Sequence, residues 1–224
     1  MKNALIAATA VAAVAGGAWF LTRPAVPSDS VVGAAMAQDA EVDTSQVTEM
    51  AKGDEDAPVE VIEYASFTCP HCATFHETQW PQIEENYVET GKVRFVYREV
   101  YFDRPGLWAS MVARCGGEDR FFGITDLIYE RQQDWARQDS GEAIISDLRR
   151  IGKVAGLTDE DLDSCLSDGE TAQTLYGWFQ ANAEADDVQG TPSFVIAGEK
   201  YSNMSYDDFA AVLDEKLAEA DAAE

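Results

Sequence analysis

The chain has 224 residues, of which 46% are hydrophobic, enough for one globular domain or two lobes sharing a boundary. This composition excludes a disordered tail and a multi-span membrane protein. Asp and Glu number 41 against 16 Lys and Arg, and the formal net charge of −25 repels phosphate backbones, so nucleic acid is not an expected partner. The acidic residues are spread along the chain, which reads as a heavily solvated surface rather than a binding site for a cation.

In chain order, Lys2 precedes an apolar run from Ala4 to Leu21, followed by Thr22-Arg23-Pro24. A basic start before an apolar stretch is an export signal. Ala35-Met36-Ala37 resembles a peptidase site, while residues 4–21 are long enough to span a bilayer. Residues 1–37 are therefore read as a signal peptide or an N-terminal membrane anchor, and the expected location of the folded part is the periplasm. Residues 38–52 continue a flexible spacer rich in small and acidic residues.

Pro58 to Ala65 is rich in β-branched residues and reads as a strand. Cys69-Pro70-His71-Cys72 follows, with Pro70 fitting the first position of a helix. That helix is predicted to run towards Thr90-Gly91 with a bend at Pro81, before a second strand over Lys92–Arg98. Residues 53–103 thus form a strand–helix–strand unit. Residues 104–188 carry helical spacing, as in Leu107-Trp108-Met111-Val112-Cys115, and predict four or five helices. Residues 189–224 return to a strand at Pro192–Ala197, a turn at Gly198-Glu199-Lys200, a short partner strand and an amphipathic helix over Tyr206–Ala220. The fold class is α/β: a helical domain inserted between β-α-β and β-β-α halves.

Export gives the cysteines a meaning, because the compartment is oxidising. Four cysteines allow three pairings; Cys69 and Cys72 form a CxxC pair, leaving Cys115 and Cys165 for each other. A bridge between the latter closes a loop of roughly fifty residues, worth about 4 kcal/mol in the chain-entropy model. Structural stapling is its default role, with a redox-regulatory role as the alternative.

Strand, CxxC helix, strand, helical insertion, then Gly190-Thr191-Pro192 leading into a hairpin and helix resembles the thioredoxin-fold DsbA family. Gly53, Asp56-Ala57-Pro58-Val59 and Ser66-Phe67-Thr68-Cys69-Pro70-His71-Cys72 carry the resemblance, which extends from about Gly53 to the C-terminus. It implies a thiol:disulfide oxidoreductase that puts disulfides into unfolded or reduced exported proteins and is re-oxidised by a membrane DsbB-type partner. No cofactor or metal is implied. It also implies a cis Thr191–Pro192 bond beside Cys69, with the Thr191 backbone pairing to substrate, and a shallow apolar groove for which Phe67, Met204 and Tyr206 are candidate walls. A second bridge like Cys115–Cys165 is known among some relatives.

The residues support this chemistry on their own terms. A thiolate is the attacking species, and a helix N-terminus offers Cys69 partial positive charge and free N–H groups. His71, in the first turn, can add a hydrogen bond or positive charge, and Cys72, one turn on and facing inward, is the resolving thiol. A structural staple or half a zinc site with His71 or His76 are the competing readings. So short a loop stabilises little, and zinc needs further ligands close by. Glu63 shares a strand face with Val59, Val61 and Ala65, six residues before Cys69, at the place of the family's buried acid. There it can relay protons to and from Cys72; the alternative is an edge-strand Glu facing water. Best-known enterobacterial members have Val before the conserved Pro. Thr191 keeps a second function open, an exported reductase or isomerase, and a third is a non-catalytic binding or chaperone module.

Overall fold

The computed structural model describes residues 42–223. The expected leader, residues 1–37, and the start of the spacer lie outside the described residues. Among the described residues no helix is long and apolar enough to cross a membrane.

Five strands form one sheet in the order β1-β3-β2-β4-β5: β1 Met50–Lys52, β2 Val59–Ala65, β3 Val93–Glu99, β4 Ser193–Ile196 and β5 Glu199–Ser202. The central pair β2 and β3 is parallel and the other pairings are antiparallel. Parallel neighbours need a crossover, and the CxxC helix provides it. Glu63 sits in register with Tyr97 on one side and Phe194 on the other, at the middle of the sheet. The β2 face carrying Val59, Val61, Glu63 and Ala65 is buried, as its alternation predicts.

The crossover is not one bent helix. It consists of α1 Pro70–Thr78, the single turn α2 Trp80–Ile83 and a π-helical turn Glu84–Val88. Pro81 has no N–H to donate, so the ladder restarts at Gln79–Trp80. The second departure lies in the spacer, where β1 forms a strand against β3, Met50 opposite Tyr97. Three residues are too few to show a pattern. Met50 is nevertheless buried, and Glu49 just before it pairs with Arg98 of β3 at 2.7 Å. At Gly53 the chain turns with φ +107°, and a Cβ there would lie 2.5 Å from the Val93 carbonyl oxygen. Only glycine fits that turn.

The insertion contains six described helices rather than four or five: α3 Arg104–Cys115, α4 Glu118–Glu130, α5 Gln132–Trp135, α6 Gly141–Val154, α7 Asp159–Ser167 and α8 Gly169–Ala185. The extra one, α5, is a single turn and leaves no periodicity to read. Local chemistry sets the starts of several. Asp103 caps α3 through Gly106 N–H, Ser140 caps α6 through Ala143 N–H, and Thr158 with Asp161 forms a capping box at α7. The last helix, α9 Tyr206–Ala223, buries Phe209 and Leu213 against the sheet. Most of the insertion packs into the core of the sheet, while Met111 and Leu175 form a small second cluster with Tyr101. Val112, Phe121, Ile124, Ile128, Leu148 and Leu162 join Phe67, Phe95 and Tyr97 in one apolar cluster. Cys115 of α3 and Cys165 of α7 are disulfide-bonded, with Cα atoms 5.9 Å apart.

Candidate active site

Cys69 is the N-cap of α1 and Pro70 its first residue, so the orphan N–H groups of the first turn point back at the sulfur. Cys69 is half-buried, Cys72 fully buried, and both are free thiols. The Cys69 thiol donates to the Thr191 carbonyl oxygen at 3.4 Å, and the Thr191–Pro192 bond is cis. Beneath the loop, the Gln132 side-chain amide donates to the carbonyl oxygens of Phe67 (2.8 Å) and Cys69 (2.9 Å). Thr68 donates to Asp103, the α3 cap, at 3.0 Å, which fixes the loop from its outer side.

The pKa values of the two thiols are driven in opposite directions. A hydrogen bond from the Cys72 thiol, aided by the backbone N–H groups of Cys72 and His71, outweighs partial burial and lowers the Cys69 pKa to about 5. Burial first, then the Cys69 sulfur and the nearby Glu63 carboxylate, push the Cys72 thiol far above its ordinary value. One cysteine is held as a nucleophilic thiolate and the other as a proton-holding thiol. That pairing can attack a disulfide and then expel the product.

The His71 side chain is exposed, and the group that reaches the sulfur is its backbone N–H. At the second position of a helix the N–H faces the N-cap while the side chain radiates outward. Glu63 is wholly buried, so the water-facing alternative does not hold. Its Oε2 lies 2.9 Å from His76 Nε2, while Oε1 has no hydrogen-bond partner among the described protein atoms. His76 is itself buried, stacked on Tyr129 with ring centroids 4.4 Å apart, and Tyr129 shares a 2.7 Å hydrogen bond with Tyr97. Burial lowers the His76 pKa, but the charges of Glu63 and Asp126 overcome it and raise it to about 9. His76 entered the sequence reading only as a possible zinc ligand; its spacing of four from Cys72 places both on the buried face of α1 and is the signal that finds it. Gln132 has no sequence signal, since only tertiary packing brings α5 beneath Cys69.

Phe67 is not a groove wall. It is buried between Tyr97 and Tyr129, because the residue two before the N-cap plugs the core under the loop. Met204 and Tyr206 are partly exposed against the core, and Tyr206 accepts a hydrogen bond from Asn86. Among the described residues no group of three or more His, Cys, Asp or Glu side chains could hold a metal ion.

A family model described as thioredoxin matches residues 45–215. A Rickettsia bellii protein assigned as a protein-disulfide oxidoreductase is 34% identical over 190 residues, covering 82% of this chain and 72% of that protein. The chain belongs to the DsbA-like, thioredoxin-fold protein-disulfide oxidoreductases. A Rickettsia felis relative is 33% identical over 172 residues, and there the match spans only 61% of the relative's length. Among solved structures, the DsbA-like fold is shared with Wolbachia pipientis α-DsbA1 (TM-score 0.73, 24% identity, 79% of this chain and 94% of that one). It is shared also with Bacillus subtilis BdbD (TM-score 0.67, 22% identity, 76% and 93%).

Proposed function

We propose that this DsbA-like protein is a periplasmic dithiol oxidase that introduces disulfides into exported proteins. The observation that carries this reading is the opposed pair of thiols, Cys69 lowered to about 5 and Cys72 raised. Stabilising the reduced, thiolate form makes the Cys69–Cys72 disulfide a strong oxidant. In the reaction, a substrate thiolate attacks Cys69 of that disulfide and Cys72 leaves as a thiolate that takes up a proton. A second substrate thiolate then attacks the substrate sulfur of the mixed disulfide, forming the substrate disulfide and releasing Cys69 as its stabilised thiolate. The Thr191 carbonyl, facing Cys69, supplies a backbone acceptor for an extended substrate segment. The export pattern at Lys2 and residues 4–21 supports the compartment, and a membrane DsbB-type protein is the proposed re-oxidant.

The test is a redox titration of Cys69–Cys72 together with a pH titration of the Cys69 thiolate by ultraviolet absorbance. The expected result is a potential well above that of thioredoxin, about −270 mV, and a thiolate midpoint near pH 5. A thioredoxin-like potential with an ordinary thiol midpoint would overturn the oxidase reading in favour of a reductase.

A further inference from the structure

Cys72 exchanges a proton in every catalytic cycle, yet it is fully buried, and so is Glu63 beside it. A proton moved onto Glu63 is still inside the protein. The groups facing His76 come from every element packed against it: Glu63 from β2, Tyr97 from β3, Trp80 from α2, and Asp126 and Tyr129 from α4. Of these, only Asp126 reaches solvent. Its carboxylate lies 3.9 Å from His76 Nδ1 with half of its side chain exposed, whereas the His76 ring is 1% exposed. Nδ1 is buried and makes no hydrogen bond to the described protein atoms, and neither does Glu63 Oε1 on the opposite side of the pair. Both ends of the Glu63–His76 unit therefore have a free position, one in the interior and the other towards the surface.

We propose that His76 and Asp126 connect Glu63 to solvent, as positioning residues that carry the proton exchanged by Cys72. This rests on the dithiol chemistry proposed above and deepens it. When Cys72 resolves a mixed disulfide, its thiol proton passes to Glu63 Oε1 and its sulfur bonds to Cys69. The Glu63 carboxylate is neutralised, His76 loses the charge that held it protonated, and its Nδ1 proton leaves to Asp126 and water. The pair passes from carboxylate and imidazolium to carboxylic acid and neutral imidazole, and one proton has left the protein. When substrate opens the disulfide, the steps reverse: Glu63 protonates the departing Cys72 thiolate and His76 takes a proton back through Asp126. The 3.9 Å gap is an ion-pair distance, and the proposed step closes it to hydrogen-bond range by rotation of the half-exposed Asp126 side chain.

The test uses the reduced protein and the aromatic disulfide DTNB. Cys69 attack releases a first TNB anion, and Cys72 attack on the Cys69–TNB mixed disulfide releases a second. Asp126→Asn is expected to leave the first release unchanged and slow the second about tenfold at neutral pH. The second release should then become dependent on imidazole buffer concentration, and Asp126→Glu should restore the parent rate. His76→Gln, which can still hydrogen-bond Glu63 but cannot ferry a proton, should slow the second release likewise. Asp126 is exposed, so its variant tests the route even where the buried His76 variant folds poorly. A second release at the parent rate without buffer dependence in Asp126→Asn overturns the relay alone. A parent protein that releases no first TNB overturns the dithiol reading itself.

Discussion

Cys69 and Cys72 are the same chemical group three positions apart, and position on a helix start separates them. Cys69 receives the donors of the first turn, while Cys72 faces the interior and Glu63. The Cys69 pKa is lower in the folded protein than the ordinary 9.0, so the folded reduced state binds this proton less tightly than the unfolded chain. The resulting stabilisation is present in full above pH 9 and lost as pH falls through about 5. Reduced parent should therefore gain stability over reduced Cys69→Ser from pH 5 to pH 9, with the gap flat beyond, as read by urea unfolding. A gap constant over that range would contradict a stabilised thiolate. His76 moves the other way, its proton bound more tightly when folded, so its stabilisation is full below 6.5 and fades as pH rises through about 9. The same trend in both proteins of the comparison cancels it. The CxxC pair and Glu63 were readable because spacing and strand alternation are local. Gln132 and Asp126 were not, because the insertion carries them to the site from distant positions.

Among the elements, β2, β3 and α1 announce themselves through alternation and a Pro at the helix start, whereas β1 and α5 are too short to carry a pattern. What holds β1 is tertiary. Arg114 of α3 forms a bidentate pair with Glu99 at the end of β3 (2.6 and 2.7 Å) and donates to the Thr48 carbonyl oxygen (2.8 Å), just before β1. One guanidinium thus ties the insertion, the central sheet and the lead-in segment together. Arg114 is 9% and Glu99 1% exposed, so Arg114→Met leaves a buried carboxylate without its counter-charge and should cost about 3 kcal/mol in urea unfolding. Adding Glu99→Met should recover most of that loss, because removing both charges removes the desolvation penalty. A single variant as stable as the parent would mean that the pair does not hold these elements together.

For the whole molecule, the Cys115–Cys165 bridge joins α3 to α7 across 50 positions, with Cys115 packed against the shared core. Replacing both cysteines by alanine should lower stability by about 4 kcal/mol, the chain-entropy value for so long a loop. The thiolate midpoint of Cys69 should stay where it was. A shifted midpoint would mean that the bridge tunes the active site rather than stapling the insertion. The net charge of −25 adds a global term, since like charges repel in the compact state. Added salt should raise the unfolding midpoint of the parent, with most of the gain complete once the Debye length falls below about 8 Å.

By itself, the sequence determined the redox pair, the helix that starts at it, the buried acid behind it and the order of the two half-folds. Each of these depends on residues close together in the chain, where spacing translates directly into geometry. The cis Thr191–Pro192 bond was legible only through family resemblance. The tertiary structure alone decided that the His71 side chain is exposed, that Phe67 belongs to the core and that Glu63 is paired with His76. It also placed Asp126 and Gln132 at the site. Those outcomes depend on which buried group meets which neighbour across the core, and the insertion that supplies the neighbours shares its packing with the sheet.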